Sequence, residues 1–177
     1  MSKRRKNKVI FFFLLVITIS FSETYAQDES DYAVHANIIY HFTKYIDWPP
    51  AAKSGDFTIG VVGETAVYDQ LKKVTTGKKV GNQIISLKIF SSSDRIFKCH
   101  ILFISDKVAG SFKKIVSNTV NEPVLLVSES KGFAKKGSCI NFNLVNSKLK
   151  LEINTNNIQQ RELKIASELL QLGDEIK

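Results

Sequence analysis

The chain has 177 residues, of which 44% are hydrophobic and 24% charged, and its formal net charge is +8. This length is enough for one domain with its own core and is short for two. Five of the 25 Lys and Arg residues lie within the first eight positions, and the remaining cations are scattered. Because a nucleic-acid-binding protein shows a clustered basic stripe, we predict no nucleic-acid partner.

The first 26 residues form a predicted export signal. A basic head at residues 3–8 precedes an uncharged, mostly apolar run at residues 9–21, which is too short to span a bilayer comfortably. Residues 24–26 resemble a small-residue cleavage site, so we predict cleavage near Ala26 and a periplasmic domain of residues 27–177. The alternative is an uncleaved membrane anchor.

Residues 31–50 predict a long and unusually apolar helix that ends near Asp47, where Pro49 and Pro50 stop it. At 100° per residue, one wide stripe faces the core. This stripe includes Val34, Ile38, Ile39, Phe42 and Ile46. The opposite side, around Tyr40, is also weakly polar, and either the rest of the domain or a partner protein could cover it.

The middle of the chain alternates apolar strands with helical segments, which is typical of an α/β fold with a parallel sheet. We predict strands at 57–62, 84–90, 99–105 and 124–128, and helices at 64–74 and 109–119. The most apolar of these, CHILFIS, is the predicted centre of the sheet. The predicted order is 84–90, 57–62, 100–104, 124–128, followed by a hairpin.

That hairpin is the clearest local signal, because residues 139–145 and 148–154 alternate around Asn146-Ser147. A two-residue turn pairs Leu144 with Leu149, Phe142 with Leu151 and Ile140 with Ile153, which makes one face wholly apolar. Beyond it, residues 155–172 predict a final helix that Thr155 caps and that docks on the sheet. The predicted fold is a single three-layer α/β/α domain, mostly parallel, with a C-terminal antiparallel hairpin and terminal helices packed on the sheet.

Two cysteines, Cys99 and Cys139, leave two interpretations open in an oxidising compartment. One is a single disulfide that stabilises by about 4 kcal/mol. The other is a pair of separate buried thiols, because a strand at 124–128 between them would place their Cα atoms about 9.6 Å apart, beyond disulfide reach.

The three histidines form no recognisable catalytic or metal-binding pattern. His35 and His41 lie six positions apart on one helix and point in different directions, while Cys99 and His100 point to opposite faces of a strand. The glycines Gly60 and Gly63 lack the spacing of a nucleotide-binding loop. We therefore predict no catalytic residue, no cofactor and no metal. An enzyme would need His100 to meet a Ser or Asp from a neighbouring loop.

Five segments in order resemble one known family: DYAVHANIIYHFTKYIDWP, FTIGVVG, CHILFIS, VLLVSESKGFAKKGSCINF and LKLEINTNNIQQRELKIASELLQL. They are similar to the YfiR family of exported signalling proteins, also associated with HmsC, over almost the whole mature chain. The resemblance implies a periplasmic α/β/α domain that represses an inner-membrane diguanylate cyclase, with redox state and oligomerisation, including a possible homodimer, involved in release. Well-known members use two disulfides, whereas this chain has two cysteines.

The resemblance and the residues together predict a non-enzymatic periplasmic regulator that binds the extracytoplasmic domain of a membrane signalling protein, a diguanylate cyclase or a sensor kinase. The alternative is a small-ligand or peptide-binding sensor module that works with a histidine kinase or an outer-membrane receptor. Aromatic residues near a helix end or loop are candidate interface anchors, although each could also belong to the core. These candidates are Tyr40, Tyr45, Trp48 and Phe133.

Overall fold

The structure, a computed structural model, describes the backbone of residues 22–146 and 148–176 and side chains from Tyr32 onward, apart from Thr65. The predicted export signal therefore falls mostly outside the described residues. In the described part of the chain, no helix combines the length and apolar character needed to cross a bilayer.

The fold is a mixed α/β domain. Its helices are α1 (Ser22–Tyr45), α2 (Thr65–Thr75), α3 (Phe112–Thr119), α4 (Thr155–Gln159) and α5 (Ser167–Leu170). Its strands are β1 (Ile46–Asp47), β2 (Phe57–Val62), β3 (Lys79–Val80), β4 (Gln83–Phe90), β5 (Ile101–Ile104), β6 (Leu125–Ser128), β7 (Ile140–Val145), β8 (Lys148–Asn154), β9 (Lys164–Ile165) and β10 (Asp174–Ile176).

Within the described residues, eight strands form one sheet in the order β10-β8-β7-β6-β5-β2-β4-β3. The predicted order of the five principal segments is confirmed, and the short strands β3 and β10 are additional edges. Strands β4, β2, β5, β6 and β7 run parallel, and β8 runs antiparallel to β7. The strand β5 at the centre is fully buried, as its apolar sequence predicts.

The hairpin has the predicted register, with Leu144 opposite Leu149, Phe142 opposite Leu151 and Ile140 opposite Ile153. On the other face, Glu152 accepts hydrogen bonds from Asn141 and Asn143, both 2.9 Å long. A one-residue slip would place this carboxylate against the core, so the polar pairs and the apolar pairs select the same register.

Helix α1 packs on the sheet face that carries Phe57, Phe103 and Phe142, and it also packs against α2. It ends at Tyr45 rather than near Asp47, because Ile46 and Asp47 pair with β9. Its buried side is rotated from the predicted stripe. Ala36, Ile39 and Phe42 are fully buried, whereas Val34 is 48% exposed, because the two covers of α1 are the sheet and α2.

The prediction of a single final helix over residues 155–172 is wrong. The chain instead forms α4, then β9, α5 and β10, with Asn154 rather than Thr155 as the side-chain cap of α4. Helix α4 ends because Glu162 adopts a left-handed conformation, φ 57°, and the Leu163 N–H bonds back to the Ile158 carbonyl. The chain then pairs β9 with β1 and β10 with β8.

Candidate functional site

Two buried parallel strands, β5 and β6, end side by side in acidic residues. Asp106 follows β5 by two positions, and Glu129 follows β6 directly. A cavity of about 500 Å³ opens there under residues 32–35 of α1. We call it the carboxyl-edge cavity; it is lined by Tyr32, Val34, His35, Asp106, Glu129 and Phe142, among others. Ligand sites of open α/β sheets lie at this edge.

Glu129 lies at the centre of the polar side of this cavity, and its side chain is only 11% exposed. Its Oε1 accepts a hydrogen bond from the Tyr32 hydroxyl at 3.3 Å and another from the Asp106 N–H at 3.2 Å. Its Oε2 lies 3.7 Å from His35 Nδ1. Burial raises the pKa of Glu129, and these hydrogen bonds only partly oppose the increase.

The aromatic side of the cavity holds His35 in place. Its ring stacks on Phe142 with centroids 4.4 Å apart and planes 2° apart, and Tyr32 contacts its edge at 5.5 Å. Burial, together with the neighbouring carboxylates Glu129, Glu64 and Asp106, raises the pKa of Tyr32. The Tyr32 hydroxyl therefore stays protonated and serves as a donor at physiological pH.

The point where the strand order reverses, between β2 and β5, is filled by the chain itself. Glu64 follows β2, is 5% exposed, accepts the Ala66 N–H and forms an ion pair with Lys107. A Cβ at Gly63 would lie 2.8 Å from the Val108 side chain, so glycine is required for the two turns to approach each other. The open volume is therefore displaced from the reversal point toward β6 and β7.

An apolar groove adjoins the carboxyl-edge cavity, and the two share Val34 and Leu149. The groove has a volume of about 580 Å³ and lies between α1, the hairpin and α5. We call it the α1 groove; its walls include Val34, Ile38, Tyr45, Leu149, Leu169 and Leu172. Val34 is 48% exposed and Leu172 is 65% exposed, so apolar surface faces solvent on both sides.

The four candidate interface aromatics separate into two pairs. Tyr40 and Tyr45 are partly exposed, and the Lys78 ammonium lies 4.2 Å from the centre of the Tyr40 ring. Trp48 is buried, contacts Phe57 edge-on and donates its N–H to the His100 carbonyl at 3.3 Å. Phe133 is also buried, by stacking on Phe112. Of the four, Tyr45 lies at the α1 groove.

The two cysteines are free thiols in the structure, so the disulfide that the sequence left open is not formed. Strand β6 lies between β5 and β7, as the spacing argument against a Cys99–Cys139 disulfide required. Cys139 lies immediately before β7 and is fully buried. Burial raises the pKa of both thiols.

His100, the histidine that an enzymatic mechanism would need, has a structural role. Its Nδ1 accepts the Thr58 N–H at 3.0 Å, so Nε2 carries the hydrogen and donates it to the Ala52 carbonyl at 2.7 Å. Both ring nitrogens are thus engaged with backbone. Among the described residues, no group of three His, Cys, Asp or Glu side chains is placed to hold a metal ion.

Sequence reasoning did not single out Glu129, Asp106 or Tyr32. A usable signal was present, since both acids come within two positions of the ends of strands predicted to be parallel neighbours. The carboxyl ends of such strands meet at one edge of the sheet. Tyr32 gave no comparable signal, because its place depends on how α1 crosses that edge.

Comparisons with known proteins agree with this architecture. A conserved domain protein from Vibrio cholerae O1 biovar El Tor strain N16961 has a crystal structure that matches with a TM-score of 0.57 at 13% identity. The match covers 82% of this chain and 60% of that chain, so this chain spans less than two thirds of the neighbour, and the likeness shows the fold alone. No curated protein matches. The model of the YfiR/HmsC-like family matches residues 32–174, which is most of the sequence. The chain therefore belongs to the YfiR/HmsC-like family.

Proposed function

We propose that this protein is a non-enzymatic periplasmic regulator that docks through the α1 groove on the extracytoplasmic domain of an inner-membrane diguanylate cyclase and represses it. Membership of the YfiR/HmsC-like family supports a regulatory role in cyclic-di-GMP signalling in broad terms. The choice of a cyclase as partner, and of repression as the effect, follows the family resemblance of the sequence. The observation that carries the proposal is the solvent-facing apolar wall of the groove.

This wall is a favourable place for another chain to bind. Val34 and Leu172 in the groove are each about half exposed or more, and so is Leu144 in the adjoining carboxyl-edge cavity. Because each of these side chains is already partly buried, full burial by a partner gains about 0.7–2 kcal/mol per side chain, roughly half of the value for a fully exposed one. Contiguous exposed apolar surface is uncommon on a protein that functions alone, so it supports a docking role.

The occupant that we propose is an amphipathic segment of the partner's extracytoplasmic domain. Its apolar residues would lie against Ile38, Leu149 and Leu172, while Asn37 and His41 at the groove margin are positioned to meet its polar flank. Helix-in-groove binding of this kind places apolar anchors at every third or fourth position of the bound segment.

The experiment is a binding assay between the purified domain and membranes that contain an inner-membrane diguanylate cyclase from the same organism. Val34→Asp and Leu172→Asp each place a charge in the groove, and each should weaken binding by at least about tenfold, or about 1.4 kcal/mol. Matched controls are Val120→Asp, 42% exposed, and Ile96→Asp, 68% exposed, both outside the groove. Equal binding by groove variants and controls would contradict docking at this surface.

Cyclase activity in the same membranes tests the second half of the proposal. Added wild-type protein should lower cyclic-di-GMP synthesis, and the two groove variants should not. Binding that leaves synthesis unchanged would reject repression while keeping the docking site. Binding to a sensor kinase and not to a cyclase would reject the partner class.

A second function, as a small-ligand or peptide-binding sensor, is favoured by one observation, the carboxyl-edge cavity of about 500 Å³ with its polar side at Glu129 and its apolar side at Phe142. This volume suits a small molecule. Thermal unfolding in fractions of periplasmic metabolites separates the two functions. A fraction that raises the midpoint temperature of unfolding of wild type but not of Glu129→Gln would favour the sensor function.

A further inference from the structure

The segment of α1 at residues 32–35 is held on the sheet through one carboxylate. Tyr32 donates to Glu129 Oε1, and His35 Nδ1 lies 3.7 Å from Glu129 Oε2. Both contacts connect positions about 95 residues apart in sequence, so they fix the tertiary position of the helix rather than its local shape. We call these two contacts the Glu129 latch.

The charged and titratable groups that face the latch come from four elements. Helix α1 contributes Tyr32 and His35. The turn after β5 contributes Asp106 and Lys107, the turn after β2 contributes Glu64, and the loop after β6 contributes Lys131. Lys107 forms an ion pair with Glu64.

This setting favours the neutral form of Glu129. Burial raises its pKa, and the adjacent charge of Asp106 adds to the increase, while the Asp106 N–H and the Tyr32 hydroxyl oppose it. An ionised Glu129 therefore raises the free energy of the docked helix, whereas protonation of the carboxylate removes that penalty. Because the folded pKa is raised, this contribution to stability is complete in acid and is lost as pH increases through the folded pKa.

We propose that the Glu129 latch is a pH-sensitive switch: protonation keeps the segment of α1 at residues 32–35 docked on the sheet, and ionisation releases it. The switch also affects binding at the α1 groove, and this part of the proposal rests on the proposed function. Val34 is in the same helical segment and forms a wall of both the cavity and the groove. Release of the segment removes one wall, so a partner binds more tightly when Glu129 is protonated than when it is ionised.

Hydrogen exchange of the isolated chain tests the switch without a partner. After correction for the pH dependence of intrinsic exchange, the opening constant of a peptide covering residues 32–40 should rise with pH, by at most about tenfold per pH unit within the titration window. Glu129→Gln, which is neutral at every pH, should show no such rise. Glu122→Gln, an exposed glutamate in the loop before β6, should behave as wild type.

A Glu129→Gln profile that rises as steeply as wild type would overturn the switch. Since a substitution could disturb folding, the carbon-13 shift of the wild-type Glu129 carboxyl is the second measurement. It should titrate in the same pH window as the exchange, and a separation of the two transitions would also overturn the proposal.

The binding assay with cyclase-containing membranes then tests only the coupling between the Glu129 latch and the α1 groove. Wild type should bind more weakly above the pH window of the exchange transition than below it, whereas Glu129→Gln should bind equally at both, because its latch does not ionise. Equal pH dependence of the two proteins would reject the coupling to the groove. Absence of binding at either pH would reject the proposed function and would leave the exchange result on the latch intact.

Discussion

The imidazole of His35 lies flat on the ring of Phe142, with centroids 4.4 Å apart and an angle of 2° between the planes. This stack joins α1 to β7, the strand at one end of the parallel run. Phe42, two turns farther along α1, contacts the other side of the same cluster with a centroid distance of 6.3 Å to Phe142. Phe142 therefore anchors two successive parts of the helix.

Truncation of this anchor should be among the most destabilising changes in the domain. Phe142→Ala removes a side chain that is 2% exposed and is expected to lower the free energy of unfolding by about 3–5 kcal/mol. Leu144→Ala is the matched control, because Leu144 lies on the same face of β7 but is 67% exposed, and its effect should stay within about 0.5 kcal/mol. Urea unfolding measures both, and similar losses would contradict the anchor.

The order of the sheet and the register of its hairpin were predictable from the sequence, because both follow from local patterns. Continuous apolar runs separated by helical spacing define parallel strands, and short connections leave few orders for them. In the hairpin, alternation around Asn146 specifies which residues face the core.

The C-terminal segment and the site depend on contacts that are distant in sequence, and local patterns do not encode these. Residues 155–172 have helical periodicity, yet pairing of β9 with β1 and burial of Arg161 outweigh that propensity. In the same way, the burial of Glu129 follows from the position of α1 across the sheet edge. Of the residues at the site, only Asp106 and Glu129 were predictable from the sequence, because they follow two neighbouring strands.

Arg161 should be the main attachment of the C-terminal segment to the sheet layer. It is 4% exposed and donates to the Thr119 carbonyl at the end of α3. Arg161→Ala leaves that buried carbonyl without this donor and is expected to cost about 1.5–3 kcal/mol. Arg95→Ala, at an exposed arginine, should change the free energy of unfolding by less than about 0.5 kcal/mol. Equal effects in a denaturant titration would show that the buried contact does not hold the segment.

Glu162 offers a place where one substitution should stabilise the domain. Its φ of 57° lies in the left-handed region, which is unfavourable for a residue with a Cβ. Glu162→Gly should raise the free energy of unfolding by up to about 1 kcal/mol, after the larger entropy of glycine in the unfolded chain is included. Gln160→Gly, two positions earlier at a helical φ of −58°, should lower it by about 0.5–1 kcal/mol. Thermal unfolding of the two variants should therefore shift in opposite directions.

The two thiols should remain separate and unreactive in the native domain. Burial raises the pKa of Cys99 and of Cys139, so little reactive thiolate is present at neutral pH. A disulfide-exchange reagent should label Cys99, which is partly exposed, before Cys139, and both rapidly once denaturant is added. Mass spectrometry after exposure to oxidised glutathione should find no intramolecular bridge, and a Cys99–Cys139 disulfide in folded protein would refute the strand-spacing argument.

The ion pair between Lys107 and Glu64 should contribute to stability only above acidic pH. Burial alone would raise the pKa of Glu64, yet hydrogen bonds from Lys107 and from the Ala66 N–H together hold it below its ordinary value of 4.5. A lowered carboxyl pKa stabilises the fold above that ordinary value, and the contribution disappears as pH falls through the folded pKa. Lys107→Ala should therefore cost about 1 kcal/mol at neutral pH, a figure kept small because Lys107 is 63% exposed.

Urea unfolding at about pH 7 and about pH 3 should show that this difference vanishes in acid, while Lys113→Ala, at an exposed lysine of α3, shows no such pH dependence. If Lys107→Ala lowers the free energy of unfolding equally at both pH values, the effect comes from the apolar part of the lysine side chain rather than from its charge.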